Sequence, residues 1–229
     1  MFDRQLIKSI AKKELQGTVF KTLGLTILLI IITGLLGFDA NQNMTIQDDF
    51  AATEFSYTPS WVSFLLFVIQ SLFLKASAQF YLFYKPNIQR GVMTSFFEGF
   101  NNFLKTIFAA FACLISITLW SILFVIPGII QAFSLSQVFY ILADNPQISI
   151  AKALKMSKEL TRGYKGELFV LGLSFIGWFV LCTLTFGIAL LWVFPYVNLT
   201  YAKTYLFLKH RALKTGSLSK DDFLQENNN

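Results

Sequence analysis

Residues 122–166 read ILFVIPGIIQAFSLSQVFYILADNPQISIAKALKMSKELTRGYKG, and the order of apolar, breaker and basic segments within them decides the fold. An apolar run halts at Pro127-Gly128, resumes in more polar form as far as Asp144-Asn145-Pro146, and gives way to a segment carrying Lys152, Lys155, Lys158, Arg162 and Lys165. Proline and glycine in succession disfavour a continuing helix. Pro127-Gly128 therefore predicts a turn at one membrane face, followed by a helix returning across the bilayer and a basic helix on the other face.

Composition makes the bilayer the solvent. The chain has 229 residues, 55% hydrophobic and 17% aromatic with 26 Phe, and only 14% charged, against about 25% in soluble domains. Mean hydropathy is +0.57. A soluble core of this size has no use for so much apolar surface. The net charge of +6 lies mainly at the ends of apolar runs and does not point to nucleic acid. Cys113 and Cys182 both sit in apolar runs and read as small packing residues, and His210 is the single histidine. Neither a disulfide framework, a Cys/His metal cluster nor a cofactor is expected.

From the N-terminus, Phe2, Leu6, Ile10 and Leu15 fall near one side of a helix, with Arg4, Lys8, Lys12 and Lys13 over much of the rest. Such a helix can lie in the headgroup region. Gly17 leads into a first span at about 19–38. This run is too long for a cleaved signal peptide, and the DANQ after it offers no small-x-small site, so it reads as retained. Residues 39–60 form a polar loop with Asp39, Asp48, Asp49 and Glu54 and no basic residue. Trp61 opens a second span at about 61–84 as an interfacial anchor. Residues 94–104 read as another interfacial helix, then come spans at about 105–126, 129–143, 168–184 and 188–208. The fourth is short for about 30 Å of hydrocarbon, and a tight turn at Phe186-Gly187 precedes the sixth. The expected architecture is all-α: a polytopic membrane protein with one six-helix domain over 1–208 and a polar, frayed tail over 209–229.

Basic residues near span ends precede span one and fall between two and three, between four and five, and after six, while the opposite connections carry none. The positive-inside rule then puts both termini in the cytoplasm. Spans three-four and five-six are both hairpins with short outer turns, an echo that a repeat or the membrane constraint alone would produce.

The motifs VIPGIIQAFSLSQVFYILADNP, KALKMSKELTRGYKGELFVLGLSFIGW and TFGIALLWVFPYVNLTYAKTYLFL, with IKSIAKKELQG at the start, resemble a bacterial integral-membrane family known as domain of unknown function nine-seven-five. Gln131 stands where that family's pattern leads one to expect Lys. The resemblance implies a six-helix protein of the bacterial cytoplasmic membrane and implies no assigned reaction.

Lys75 is the anomaly inside the spans, because a cation near mid-bilayer costs about 2.5–3.5 kcal/mol on insertion scales. Ser71, Lys75 and Gln79 follow at helical spacing and form a polar stripe. Lys75 either lines a cavity for an anionic group or snorkels and bonds internal carbonyls. Span four adds Gln131, Ser134, Ser136, Gln137 and Tyr140, and span six adds Asn198, Thr200, Tyr201 and Tyr205. These residues either line a pathway with Lys75 or hydrogen-bond between helices at around 0.6 kcal/mol each. Asp144 reads as ending span four, and Lys203 as snorkelling to the inner face. Over 148–165, Ile148, Ala151, Leu154 and Leu160 oppose Lys152, Lys155, Lys158, Arg162 and Lys165. Anionic lipid attracts such a cluster by about 1 kcal/mol per basic residue near the surface, although topology alone would also place basic residues there.

No HExxH, GxSxG, Walker loop or pair of intramembrane carboxylates appears, and no span nucleophile has an evident base. Asn43-Met44-Thr45 fits a glycosylation triplet, which is discounted in a bacterial protein. The expected function is therefore non-enzymatic and accessory: engagement of membrane lipids, especially anionic headgroups, or of a membrane-protein partner or second copy, in scaffolding, envelope homeostasis or immunity to a membrane-active peptide. The alternative is a small transporter or flippase for an amphiphilic or anionic substrate. An intramembrane enzyme ranks behind both.

Overall fold

The computed structural model describes residues 2–16, 68–72, 74–79, 98, 101–185 and 187–223, and all regular structure among them is helical. In chain order the helices are α1 (Arg4–Gln16), α2 (Phe103–Leu123), α3 (Val125–Leu135), α4 (Val138–Asp144), α5 (Ile150–Leu160), α6 (Lys165–Leu173), α7 (Ile176–Leu184), α8 (Leu190–Thr215) and α9 (Lys220–Phe223). Residues 68–72 and 74–79 are also helical. The expected first span, the acidic loop, the ends of the second span and most of the 94–104 segment lie outside the described residues.

Three helical units are long and apolar enough to cross a membrane: α2, α3 with α4 (Val125–Asp144), and α6 with α7 (Lys165–Leu184). α8 is longer, at 26 residues, but Asn198, Thr200, Lys203 and Thr204 dilute its apolar character. The chain is thus an all-helical protein with three candidate membrane spans among its described residues.

The turn expected at Pro127-Gly128 falls earlier. Phe124 is extended, at φ −159° and ψ 146°, and Pro127 sits in the first turn of α3. There its missing N–H is no loss, because the first amides of a helix have no intrahelical acceptor. The returning unit therefore begins at Val125 and reaches 20 residues, about 30 Å at 1.5 Å per residue. A start at Ile129 would have left it short. Gly128 serves the close approach of α2 and α3: a Cβ there would lie 2.1 Å from Ser121 Oγ and 2.9 Å from Ser121 Cα.

Two of the three units are interrupted, at Ser136–Gln137 between α3 and α4 and at Ser174–Phe175 between α6 and α7. In each, the serine hydroxyl donates to a carbonyl three residues back, Ser136 to Phe133 at 2.8 Å and Ser174 to Leu171. Such a bond satisfies a backbone acceptor that a break in hydrocarbon would leave open. The basic helix is shorter than expected. α5 ends at Leu160 and Gly163, at φ 80°, makes the turn, so Lys165 opens α6 instead of extending the basic helix.

α8 is the post of the bundle. Its Leu199, Ala202, Tyr205, Leu208 and Ala212 share one core with Val138, Ile141 and Leu142 of α4 and Ala153, Met156 and Leu160 of α5. α1 packs on α8 with a rotated face: Phe2, Ile7, Ala11 and Leu15 are buried, while Leu6 and Ile10 are 56% and 40% exposed. Two contacts set this rotation. Glu14 pairs with Lys203 at 2.6 Å, and the Phe2 ring meets Phe207 edge-on at 5.3 Å. Lys203 is therefore ion-paired instead of snorkelling alone.

α8 also runs past Leu208 to Thr215, where Gly216 in the left-handed region (φ 69°) ends it. The tail then folds back. The Ser219 amide donates to Asp222 Oδ2 at 2.9 Å and the Asp221 amide to Ser219 Oγ at 3.2 Å, a variant of the capping box. Leu218 and Phe223 pack against the core, so the tail is docked at least as far as Phe223.

The α2–α3 contact yields a direct test. Gly128→Val should lower the unfolding free energy in detergent by about 1–3 kcal/mol, the usual cost of overpacking. Ser121→Gly in the same chain should recover part of the loss, read as a shift in the thermal midpoint.

Candidate functional site

Asp144 is the last residue of α4, where a negative charge opposes the negative end of the helix dipole. Two donors from α8 compensate it: the Tyr205 hydroxyl at 2.8 Å and the Lys209 ammonium. The carboxylate is 18% exposed and the ammonium 25%, so the pair is shielded enough for charge-assisted bonding to matter. Tyr205 stacks on Tyr140 with ring centroids 5.9 Å apart, and the Tyr140 hydroxyl donates to the Asn198 carbonyl at 3.3 Å. Lys209 also lies 4.7 Å above the Phe223 ring.

Above this cluster is a cavity of about 540 Å³ lined by Cys113 and Ile117 of α2, Ala132 and Leu135 of α3, Ser136, Phe139 and Tyr140 of α4, Phe179 of α7, and Leu190, Val193, Phe194, Val197, Asn198 and Tyr201 of α8, with Leu74. No charged side chain is among these residues.

Of the residues expected to form one polar pathway, Ser136, Tyr140, Asn198 and Tyr201 line this space. Most of the others are bonded elsewhere. Lys75, 2% exposed, donates to the carbonyl of Asn101, and Asn102, left-handed at φ 59°, then opens α2. Ser71 donates to the Val68 carbonyl at 2.8 Å. Gln131 of α3 reaches Ser116 of α2 at 2.8 Å. Ser134 donates to the Ile130 carbonyl at 2.7 Å, and Tyr205 is held by Asp144. Gln137 Nε2 bonds Ser136 Oγ at 3.0 Å. Its Oε1, like that of Gln79, has no partner among the described residues, and such an orphan costs about 1–3 kcal/mol.

The basic segment is fixed in rotation. Ser149 caps α5, its hydroxyl accepting from the Lys152 amide at 3.3 Å. The hydroxyls of Ser157 and Thr161 both reach the Ser134 carbonyl, at 2.8 and 3.4 Å, beside the break in the α3–α4 unit. With Ala153, Met156 and Leu160 buried on that side, Lys155 and Lys158 are exposed on the other. Lys152 pairs with Asp222 at 3.5 Å and Arg162 with Glu159 at 3.3 Å. Lys165, at the start of α6, is half-buried. Arg211 extends the row, its guanidinium 4.6 Å from the Tyr164 ring centroid and donating to the Arg162 carbonyl at 3.4 Å. In α1, Lys8 bonds the Ser174 hydroxyl and lies 4.5 Å over Phe175. Burial, then the neighbouring Arg4, lower its pKa.

Two features had a readable signal that sequence reasoning passed over. Tyr205 and Lys209 are four apart on α8 and so present one face to Asp144. Ser219 and Asp222 have capping spacing just after a helix-ending Gly216. Among the described residues, no group of three His, Cys, Asp or Glu side chains is placed to hold a metal.

Residues 110–212 match the family described as Protein of unknown function (DUF975), the family that the IPGII, ILADNP and FIGW motifs resemble. No curated protein and no solved structure matches the chain.

The Asp144 cluster is expected to act as a unit. Asp144→Asn and Lys209→Met should each destabilise the bundle, and a double-mutant cycle between them should return a coupling of about 1–3 kcal/mol, measured by thermal unfolding in detergent.

Proposed function

We propose that this chain, a member of that family over residues 110–212, is a non-enzymatic accessory protein of the bacterial cytoplasmic membrane that engages anionic lipid headgroups through its inner basic face. The observation that carries this reading is the rotational locking of α5: with Ser157 and Thr161 bonded to Ser134, Lys155 and Lys158 have no ion pair among the described residues and face outward. At about 1 kcal/mol per basic residue near an anionic surface, the row of Lys152, Lys155, Lys158, Arg162 and Lys165 amounts to a surface of substantial affinity. The reading includes six spans with both termini on the cytoplasmic side, since the basic connections all fall on one side in that topology. Scaffolding, envelope homeostasis and protection against a membrane-active peptide all fit a protein anchored in this way, as does a membrane-protein partner or second copy beside it. A non-enzymatic role is consistent with His210 being exposed near the C-terminal end of α8.

A second reading, a transporter or flippase for an amphiphile, draws on the cavity of about 540 Å³ and its polar residues Ser136, Tyr140, Asn198 and Tyr201. Lys75 is not among the residues lining this cavity, and one of its three N–H donors is used on the Asn101 carbonyl, so a route through Lys75 would have to extend from the cavity to it.

Binding to phosphatidylglycerol, with phosphatidylcholine as control, tests the first reading. Lys155→Gln with Lys158→Gln should weaken phosphatidylglycerol binding by about tenfold or more at low salt, and the difference should shrink as salt screens the exposed charges. An equal affinity for both lipids in the native chain would refute it. Lys75→Met separates the readings: membrane level and lipid affinity should stay within about twofold of the native chain, whereas loss of amphiphile transport alone would establish a Lys75-dependent route.

A further inference from the structure

We propose that the seam between α5 and α8 at the inner face is an anion-binding site for a lipid headgroup, and that the chain's own C-terminal segment occupies it in cis as a displaceable strap. This deepens the headgroup reading and rests on it. The Asp222 carboxylate lies 3.5 Å from Lys152 Nζ, and the next residue, Phe223, places its ring under the Lys209 ammonium at 4.7 Å. A carboxylate followed by an apolar group is thus seated on a cationic seam, the arrangement that an anionic headgroup with its adjoining chain would offer. The strap is built to reach this place. Gly216 in the left-handed region turns the chain off α8, and the Ser219–Asp222 bond shapes the short α9 that presents Asp222.

The contact is also weak enough to yield. Lys152 and Asp222 are 33% and 35% exposed, and a pair that open to water is screened and contributes little. An anionic surface acts on Lys152 together with Lys155 and Lys158 of the same helix, while Asp222 engages Lys152 alone. Once displaced, the α9 segment carries Asp221 and Asp222 against the single Lys220, a net negative charge that the same surface repels, which favours release.

The test uses the full chain in neutral detergent, with short-chain phosphatidylglycerol as probe and short-chain phosphatidylcholine as control. Asp222→Asn with Phe223→Ala should tighten phosphatidylglycerol binding by about three- to tenfold and leave phosphatidylcholine binding unchanged. Asp222→Asn alone, which keeps the apolar anchor, should give a smaller gain in the same direction. Spin labels on Ala151→Cys, exposed on α5, and Asp221→Cys, in a chain whose Cys113 and Cys182 are replaced by Ala, should move apart as phosphatidylglycerol is added. A native chain that prefers phosphatidylglycerol, paired with a variant of equal affinity and an unchanged label distance, overturns the strap and leaves the headgroup reading standing. A native chain with no preference overturns both.

Discussion

A hydroxyl or amide carried into hydrocarbon without a partner costs several kcal/mol, and two kinds of bond meet that cost in this chain. The first is local. Thr183, Thr185, Asn198, Thr200 and Thr204 donate to the carbonyl four residues back on their own helix, and Ser71, Ser77, Ser136 and Ser174 to the one three back. Bonds of this kind let a polar residue sit in an apolar helix and say nothing about its neighbours. The second kind crosses between helices and is much sparser: Gln131 to Ser116, Tyr140 to the Asn198 carbonyl, Ser157 and Thr161 to the Ser134 carbonyl, and Tyr205 with Lys209 on Asp144. With apolar packing nearly as good against lipid as against protein, these few bonds and the close seat at Gly128 orient the helices.

That division explains what could be read in the sequence. Long apolar runs announced α2 and the two interrupted units, because length and hydropathy are local properties. Their boundaries depend on subtler chemistry. Pro127 marks a break in most contexts, yet in the first turn of α3 it is harmless, so the chain turns at Phe124 and the unit gains a length that counting from Ile129 denied it. The interruption at Ser174 leaves little hydropathy trace, since it lies inside an apolar stretch, and the polar residues around Ser136–Gln137 read equally well as one face of an unbroken helix.

The candidate site was legible in its residue types more than in their grouping. Lys75, Gln131, Ser134, Tyr140, Asn198 and Tyr205 all stood out as polar residues in apolar surroundings, and one shared cavity was the simplest home for them. Periodicity assigns a residue to a face of its own helix but not to a neighbour, and the structure distributes these side chains among several local partners. α1 shows the same limit. Its apolar residues cover more than one stripe, and the choice of Ile7, Ala11 and Leu15 over Leu6 and Ile10 is made by Glu14 on Lys203 and Phe2 on Phe207, which lie far apart in the chain.

The cavity and the basic seam are physically joined. Tyr140 lines the cavity and stacks on Tyr205, Tyr205 and Lys209 share Asp144, and Lys209 sits over Phe223 of the strap. A stacked aromatic pair is worth about 0.5–1.5 kcal/mol beyond its buried area, and charge-assisted bonds are roughly twice as strong as neutral ones, so each link of this row contributes to holding α4 against α8. An occupant of the cavity that rotates Tyr140 must either carry Tyr205 with it or break the stack, and Tyr205 cannot move far without giving up its bond to Asp144. Asp144 is then left to Lys209, the cation that also lies over Phe223. The accessory and transport readings therefore meet at Asp144, whose donor Tyr205 leads by way of Tyr140 to the cavity and whose donor Lys209 leads to the strap.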